Sequence, residues 1–182
     1  MNTLVVHESH FGNTRTVAEA IADGIADGFA SVEGAGHEGR GEGRVEVVDV
    51  TEAPDRLAAD VDLLVVGAPT HAFSMSRAST RRDARTQGAD PGHEARGVRE
   101  WLETLTPTGE PPDVATFDTR VTTVRKLPGS AARAAGRSVA RHHLGKVVGS
   151  ASFFVEDSHG PLADGELDRA RDWGRALARR EA

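Results

Sequence analysis

The 182-residue sequence predicts an α/β protein built on a five-stranded parallel sheet, and three observations carry that expectation. Five short runs rich in aliphatic and β-branched residues alternate with stretches of helical periodicity. No two of these runs are joined by a hairpin signal, so right-handed crossovers between parallel strands follow. The length suits one domain, 1–182, with a well-buried core, and two connections, at about 31–44 and 74–92, read as flexible.

The first element is the strand Leu4–Val6, which ends in a polar cluster from His7 to Thr14 and opens a helix. In that helix Val17, Ile21, Ile25 and Phe29 recur every four residues, the stripe of a helix laid on a sheet. The glycine-rich piece 31–44 breaks it. A literal GxGxxG at Gly34, Gly36 and Gly39 leaves a helix and enters a strand, the reverse of the dinucleotide fingerprint, and reads as a connection.

Val45–Val50 is β-branched with Glu46 and Asp49 interposed, so one side is solvated and the strand belongs at an edge. Pro54 is expected to open a short helix through Ala59. Val61–Val66 is nearly all apolar, as a central strand covered on both faces must be. The polar stretch 74–92 follows, and its Arg77, Arg81, Arg82 and Arg85 read as a solvated charge run.

A helix is expected near Glu94–Leu105, with Trp101 in the core. The fourth strand is Val114–Phe117, followed by a loop containing Asp118, Thr119 and Arg120. Gly129 and Ser130 open an alanine-rich helix to about His143, Val147–Val155 is the last strand, and a helix from about Leu167 with Trp173 and Leu177 closes the chain.

The loop after the first strand carries the chemistry. Ser9, Asn13, Thr14 and Thr16 offer side-chain donors, Gly12 frees the backbone, and the first amides of the helix are dipole-assisted donors without intrahelical partners. The lysine of a nucleoside-triphosphate loop is absent, and so is a dinucleotide fingerprint after this strand. A monophosphate held by neutral donors is what remains.

Ser9–Thr14, SHFGNT, resembles the phosphate loop of the flavodoxin family, whose usual form is a Ser or Thr followed by T-G-N-T. The resemblance implies a flavodoxin-like doubly wound sheet of order 2-1-3-4-5, and FMN as cofactor, bound through Ser9, His10, Phe11, Gly12, Asn13 and Thr14. In that order the first and third strands flank the switch point, so Pro69, Thr70, His71, Ala72 and Phe73 would share a crevice with the phosphate loop. Phe73 is then the candidate ring contact and His71 a polar partner for the reduced ring. By the same resemblance Thr119 and Arg120 form the third flavin-facing loop. One departure is plain: the family sandwiches the ring with Trp or Tyr, whereas this chain has no Tyr and both Trp in predicted helices, leaving Phe11 and Phe73.

Other classes are excluded or set aside. A net charge of −6 argues against nucleic acid and is compatible with an acidic carrier docking on basic partners. No apolar run approaches a membrane span, and no secretory signal is evident, so a cytoplasmic location is expected. Without cysteine there are no disulfides and no thiol chemistry. His10, His71 and His159 each follow a predicted strand, but a metal site is not expected of them. A phosphoacceptor domain lacks its lysine, and an α/β hydrolase its nucleophile elbow. The functional expectation is electron transfer through a non-covalently bound flavin, to a partner protein or a small-molecule acceptor. Two alternatives stay open: an NAD(P)H-dependent quinone or small-molecule reductase, and a flavodoxin-shaped interaction domain without cofactor.

Overall fold

A computed structural model describes residues 1–33, 43–89, 92 and 95–179. The glycine-rich GxGxxG piece and Glu94 therefore lie outside the described residues. The strands are β1 (Asn2–His7), β2 (Arg44–Asp49), β3 (Arg56–Leu57), β4 (Leu63–Pro69), β5 (Thr106–Pro107), β6 (Asp113–Val121) and β7 (Lys146–Val155). The helices are α1 (Asn13–Glu33), α2 (Ala78–Thr86), α3 (Val98–Thr104), α4 (Ala131–Arg141) and α5 (Glu166–Arg179).

Five strands form one parallel sheet in the order β2-β1-β4-β6-β7, which is 2-1-3-4-5 when only these five are ranked. The central β1 and β4 are buried on both faces, which explains their unbroken apolar runs. Alternation sends Val5, Val65, Phe117 and Phe153 against α1 and α5, and Val6, Leu64, Val66 and Val114 against α3 and α4. β2 lies at the edge, as its interposed acids predict.

The α1–α5 pair is the closest helix contact, and glycine makes it possible. A Cβ on Gly174 would stand 2.2 Å from the Ile21 carbonyl oxygen, and one on Gly24 2.1 Å from that of Arg171. The two backbones approach nearer than any side chain allows.

The structure corrects four expectations. Pro54–Ala59 is not a helix: Arg56–Leu57 forms β3 beside β5, with the Thr106 amide on the Asp55 carbonyl and the Thr108 amide on that of Leu57. Six residues cannot repay helix nucleation, and this pairing buries Leu57. The connection expected to be flexible at 74–92 contains α2, and its Arg81 is buried rather than solvated. The helix expected from Glu94 begins at Val98, capped by the Glu100 side chain on the Gly97 amide. β6 runs on to Val121, so Thr119 and Arg120 are strand residues rather than loop residues. The sheet continues there because β4 and β7 both offer partners out to Thr119 and Val121.

Candidate functional site

Parallel register brings the carboxyl ends of β1, β4, β6 and β7 to one edge of the sheet: His7 pairs with Gly67, Pro69 with Thr119, and Val121 with Val155. A cavity of about 270 Å³ opens there. Of the residues the sequence pointed to, Ser9, His10, Phe11, Asn13, Thr14, Pro69, Thr70, His71, Thr119 and Arg120 line it; Gly12, Ala72 and Phe73 do not.

The loop from Ser9 to Thr14 forms one wall. Gly12 sits at φ +85°, a conformation that favours glycine, with open space where a Cβ would project. Two of the first four amides of α1 are taken: Arg15 N–H donates to Ser9 Oγ at 3.2 Å and Thr16 N–H to the Gly12 carbonyl at 3.0 Å. The amides of Phe11, Gly12, Asn13 and Thr14 have no hydrogen-bond partner among the described residues. Thr14 and Thr119 join hydroxyls at 2.7 Å. Only one proton lies between the two oxygens, so the pair keeps a second hydroxyl proton for a ligand. Thr16 does not serve as expected, because its exposed hydroxyl turns back onto the Gly12 carbonyl.

The start of α4 is different. Thr70 Oγ1 accepts from Ala131 N–H, Asp118 Oδ2 from Ala132 N–H and Ser130 Oγ from Arg133 N–H, so the protein itself fills that helix end. This fixes Thr70 in the cavity wall. Arg120, also buried, donates to the carbonyls of Val124, Leu127 and Gly129 and ties the loop after β6 to the cavity.

Behind His10 lies a buried polar network the sequence did not reveal. Glu8 is fully buried. Its Oε1 meets His10 Nε2 at 2.8 Å and accepts from Ser76 Oγ, while its Oε2 accepts from Val98 N–H at 2.8 Å. Arg81 donates to Ser76 at 3.0 Å and pairs with Glu100 at 3.1 Å. Burial alone would raise the Glu8 carboxyl, but the bonds from His10 and Ser76, the charge of His10 and the Val98 amide together hold it below the ordinary carboxylate range. The His71 ring lies 4.9 Å from that of His10. Burial, and then the charge of His10, push its imidazole down to about 4.

Through this network Glu8 joins β1 to the segment before α2 and to the start of α3. The α2 residues Thr80, Asp83 and Ala84, with Gln87 just beyond, form the outer wall of the cavity. His159 Nε2 donates to the Gln87 carbonyl at 3.2 Å, and its ring lies 4.2 Å from that of Phe11. The three histidines thus divide: His10 and His71 face one another, and His159 packs on Phe11. No group of three metal-binding side chains occurs among the described residues, and no described helix is long and apolar enough to cross a membrane.

At the rim, His71 and Ser74 exchange backbone hydrogen bonds at 2.9 and 3.0 Å around a two-residue turn. Its central residues, Ala72 at φ 45° and Phe73 at φ 64°, both adopt the left-handed conformation that Asn and Gly favour in such turns. The turn leaves the Phe73 side chain 47% exposed beside the cavity.

No protein-family model matches the sequence, and no curated protein matches it either. Solved structures do resemble it. A flavodoxin from the domain Archaea is 16% identical with a TM-score of 0.59, over 99% of this chain and 98% of that one. Flavodoxin 2 from Bacillus cereus is 16% identical with a TM-score of 0.58, over 99% of both chains. A WrbA-like flavodoxin from Agrobacterium tumefaciens is 17% identical with a TM-score of 0.52, over 100% of this chain and 99% of that one. With its sheet order and near-complete overlap with these structures, the chain has the flavodoxin-like fold.

Proposed function

We propose that the chain is an FMN-binding redox protein, with the flavin phosphate held by the Ser9–Thr14 loop. The observation that carries this reading is the set of unpartnered amides from Phe11 to Thr14, beside Ser9, Asn13 and the Thr14–Thr119 pair, at the carboxyl edge between β1 and β4. The open space over Gly12 leaves room for an anion against the backbone. Pro69, Thr70, His71 and Arg120 would line the flavin's path, with Ala72 and Phe73 at the ring's outer edge. When bound, FMN supplies one- and two-electron chemistry that no side chain here could provide; the protein contributes binding, orientation and exclusion of water. The donor would be a redox partner protein, and the acceptor a second protein or a small molecule.

Titration of the purified protein with FMN and with riboflavin, followed by flavin fluorescence, tests the phosphate site. FMN should bind at least 100-fold more tightly, and the double variant N13A/T14A should lose most of that difference. Equal affinity for the two flavins would overturn the reading.

The buried Glu8–His10 pair favours a second reading, an NAD(P)H-dependent reductase of a quinone or another small molecule. Reduction by electron pairs consumes protons, and His10, oriented by Glu8 at the cavity wall, is placed to store one. A carrier of single electrons needs no such store. Bleaching of bound flavin by NAD(P)H alone distinguishes the reductase; reduction only through a protein partner marks the carrier.

A further inference from the structure

The cations of this chain are not evenly spread. Between Thr119 and Val155 there are seven Lys or Arg and no Asp or Glu, a charge of +7 within a chain of net −6, so the remaining residues carry −13. In the fold, that stretch is the end of β6, α4 and β7.

Six of the seven cations are exposed: Arg125, Lys126, Arg133, Arg137, Arg141 and Lys146. None has a carboxylate within salt-bridge distance among the described residues. Elsewhere the exposed arginines Arg15, Arg44 and Arg171 each pair with an acid, whereas Arg56, Arg77 and Arg82 stand singly rather than in a stripe. Arg133, Arg137 and Arg141 recur every four residues on the outward face of α4, whose inward face is Ala131, Ala134, Ala135 and Val139. Like charges at that spacing weaken a helix, so the stripe lowers the local stability of α4.

The stripe starts at the cavity. Arg120, in the cavity wall, binds the carbonyls of Val124, Leu127 and Gly129, fixing the segment that carries Arg125 and Lys126. Leu127 is exposed there, and Gly129 lies against the Phe73 backbone, so two exposed apolar side chains stand at the same rim. An apolar contact beside a basic stripe is the pattern of an electrostatically steered interface.

We infer that the rim formed by Phe73 and Leu127, with the basic stripe along α4, docks an acidic electron-transfer protein. The redox character of the partner rests on the flavin reading above; the sign of its charge rests on the stripe alone. This reverses the partner that the net charge suggested, because steering follows the local field near the contact and salt screens the rest of the molecule beyond about 10 Å.

The probe is an acidic two-iron ferredoxin, with its association measured by surface plasmon resonance over 20–300 mM salt, with and without FMN. Association should slow on the order of tenfold across that range. The variant K126E/R133E/R137E should weaken it at least tenfold, and the neutral variant R133Q/R137Q/R141Q by a smaller factor, with unchanged circular dichroism in both. Association that quickens with salt, or that survives both variants, overturns the docking site. So does tighter, variant-sensitive binding to phosphatidylserine vesicles or duplex DNA, which would assign the stripe to lipid or nucleic acid. FMN retained without ferredoxin association fails the docking site alone; association without any FMN binding fails the flavin reading alone.

Discussion

Glu8 has the most consequence of any single residue. A carboxylate without solvent contact is tolerable only when its lone pairs are filled, and here His10, Ser76 and Val98 fill them from three separate segments. Glu8→Gln keeps the shape but replaces a charged acceptor with a neutral amide whose NH₂ faces at least one donor. The expected cost is about 2–3 kcal/mol, read as a lower urea midpoint at unchanged m-value. The same variant releases His10 from its orienting partner, so a larger change in NAD(P)H oxidation than in FMN affinity would separate the proton role from the structural one. In the sequence Glu8 was one acid among 28. Only the packing of α2 and α3 over the end of β1 gives it partners.

At the scale of elements, two short contacts decide stability in opposite directions. Gly174→Ala gains roughly 1 kcal/mol of helix propensity. Its Cβ, however, would stand 2.2 Å from the Ile21 carbonyl, so overpacking of about 1–3 kcal/mol prevails and the melting temperature falls. The turn at Ala72 and Phe73 works the other way, since a left-handed non-glycine residue costs about 1–2 kcal/mol. Phe73→Gly should therefore raise the melting temperature of the flavin-free protein. If Phe73 touches the ring, the same variant loosens FMN, and a calorimetric titration will show both effects. Neither feature was written in local pattern. Gly174 reads as a weak helix residue until α1 lies against it, and Ala72-Phe73 carries none of the Asn or Gly that marks a tight turn.

Across the molecule, acid should act in two stages. The His71 imidazole is pushed down to about 4 in the folded chain, below its ordinary value of 6.5, so the unfolded chain takes up a proton first. The stability this residue contributes is complete above about pH 6.5 and is lost as pH falls toward 4. The groups facing it are His10, Glu8 and Arg81. Glu8, held below 4.5, adds a second loss as pH falls below that value. Melting temperatures from pH 7.5 to 4 should fall for the wild type and fall less for His71→Asn above pH 5; parallel curves would show that His71 titrates normally. The charge distribution is also a property of the whole: net charge described the chain as acidic, while the fold lines the outward face of α4 with exposed cations, starting near the cavity rim.

The sequence by itself determined the alternation of strands and helices, the central and edge strands, and the donor-rich helix start at Ser9–Thr14. Each rests on a short-range regularity: period two, period 3.6, or the donor chemistry of a helix start. The tertiary structure alone decided which polar groups meet. Pro54–Ala59 became a strand because Thr106 and Thr108 came within reach, the polar run after β4 became a helix because Arg81 and Ser76 found Glu8, and the strand at Thr119 and Arg120 continued because its neighbours did. Hydrophobic period is encoded within a few residues, whereas the cost of burying a charge depends on partners tens of residues away, which no local reading contains.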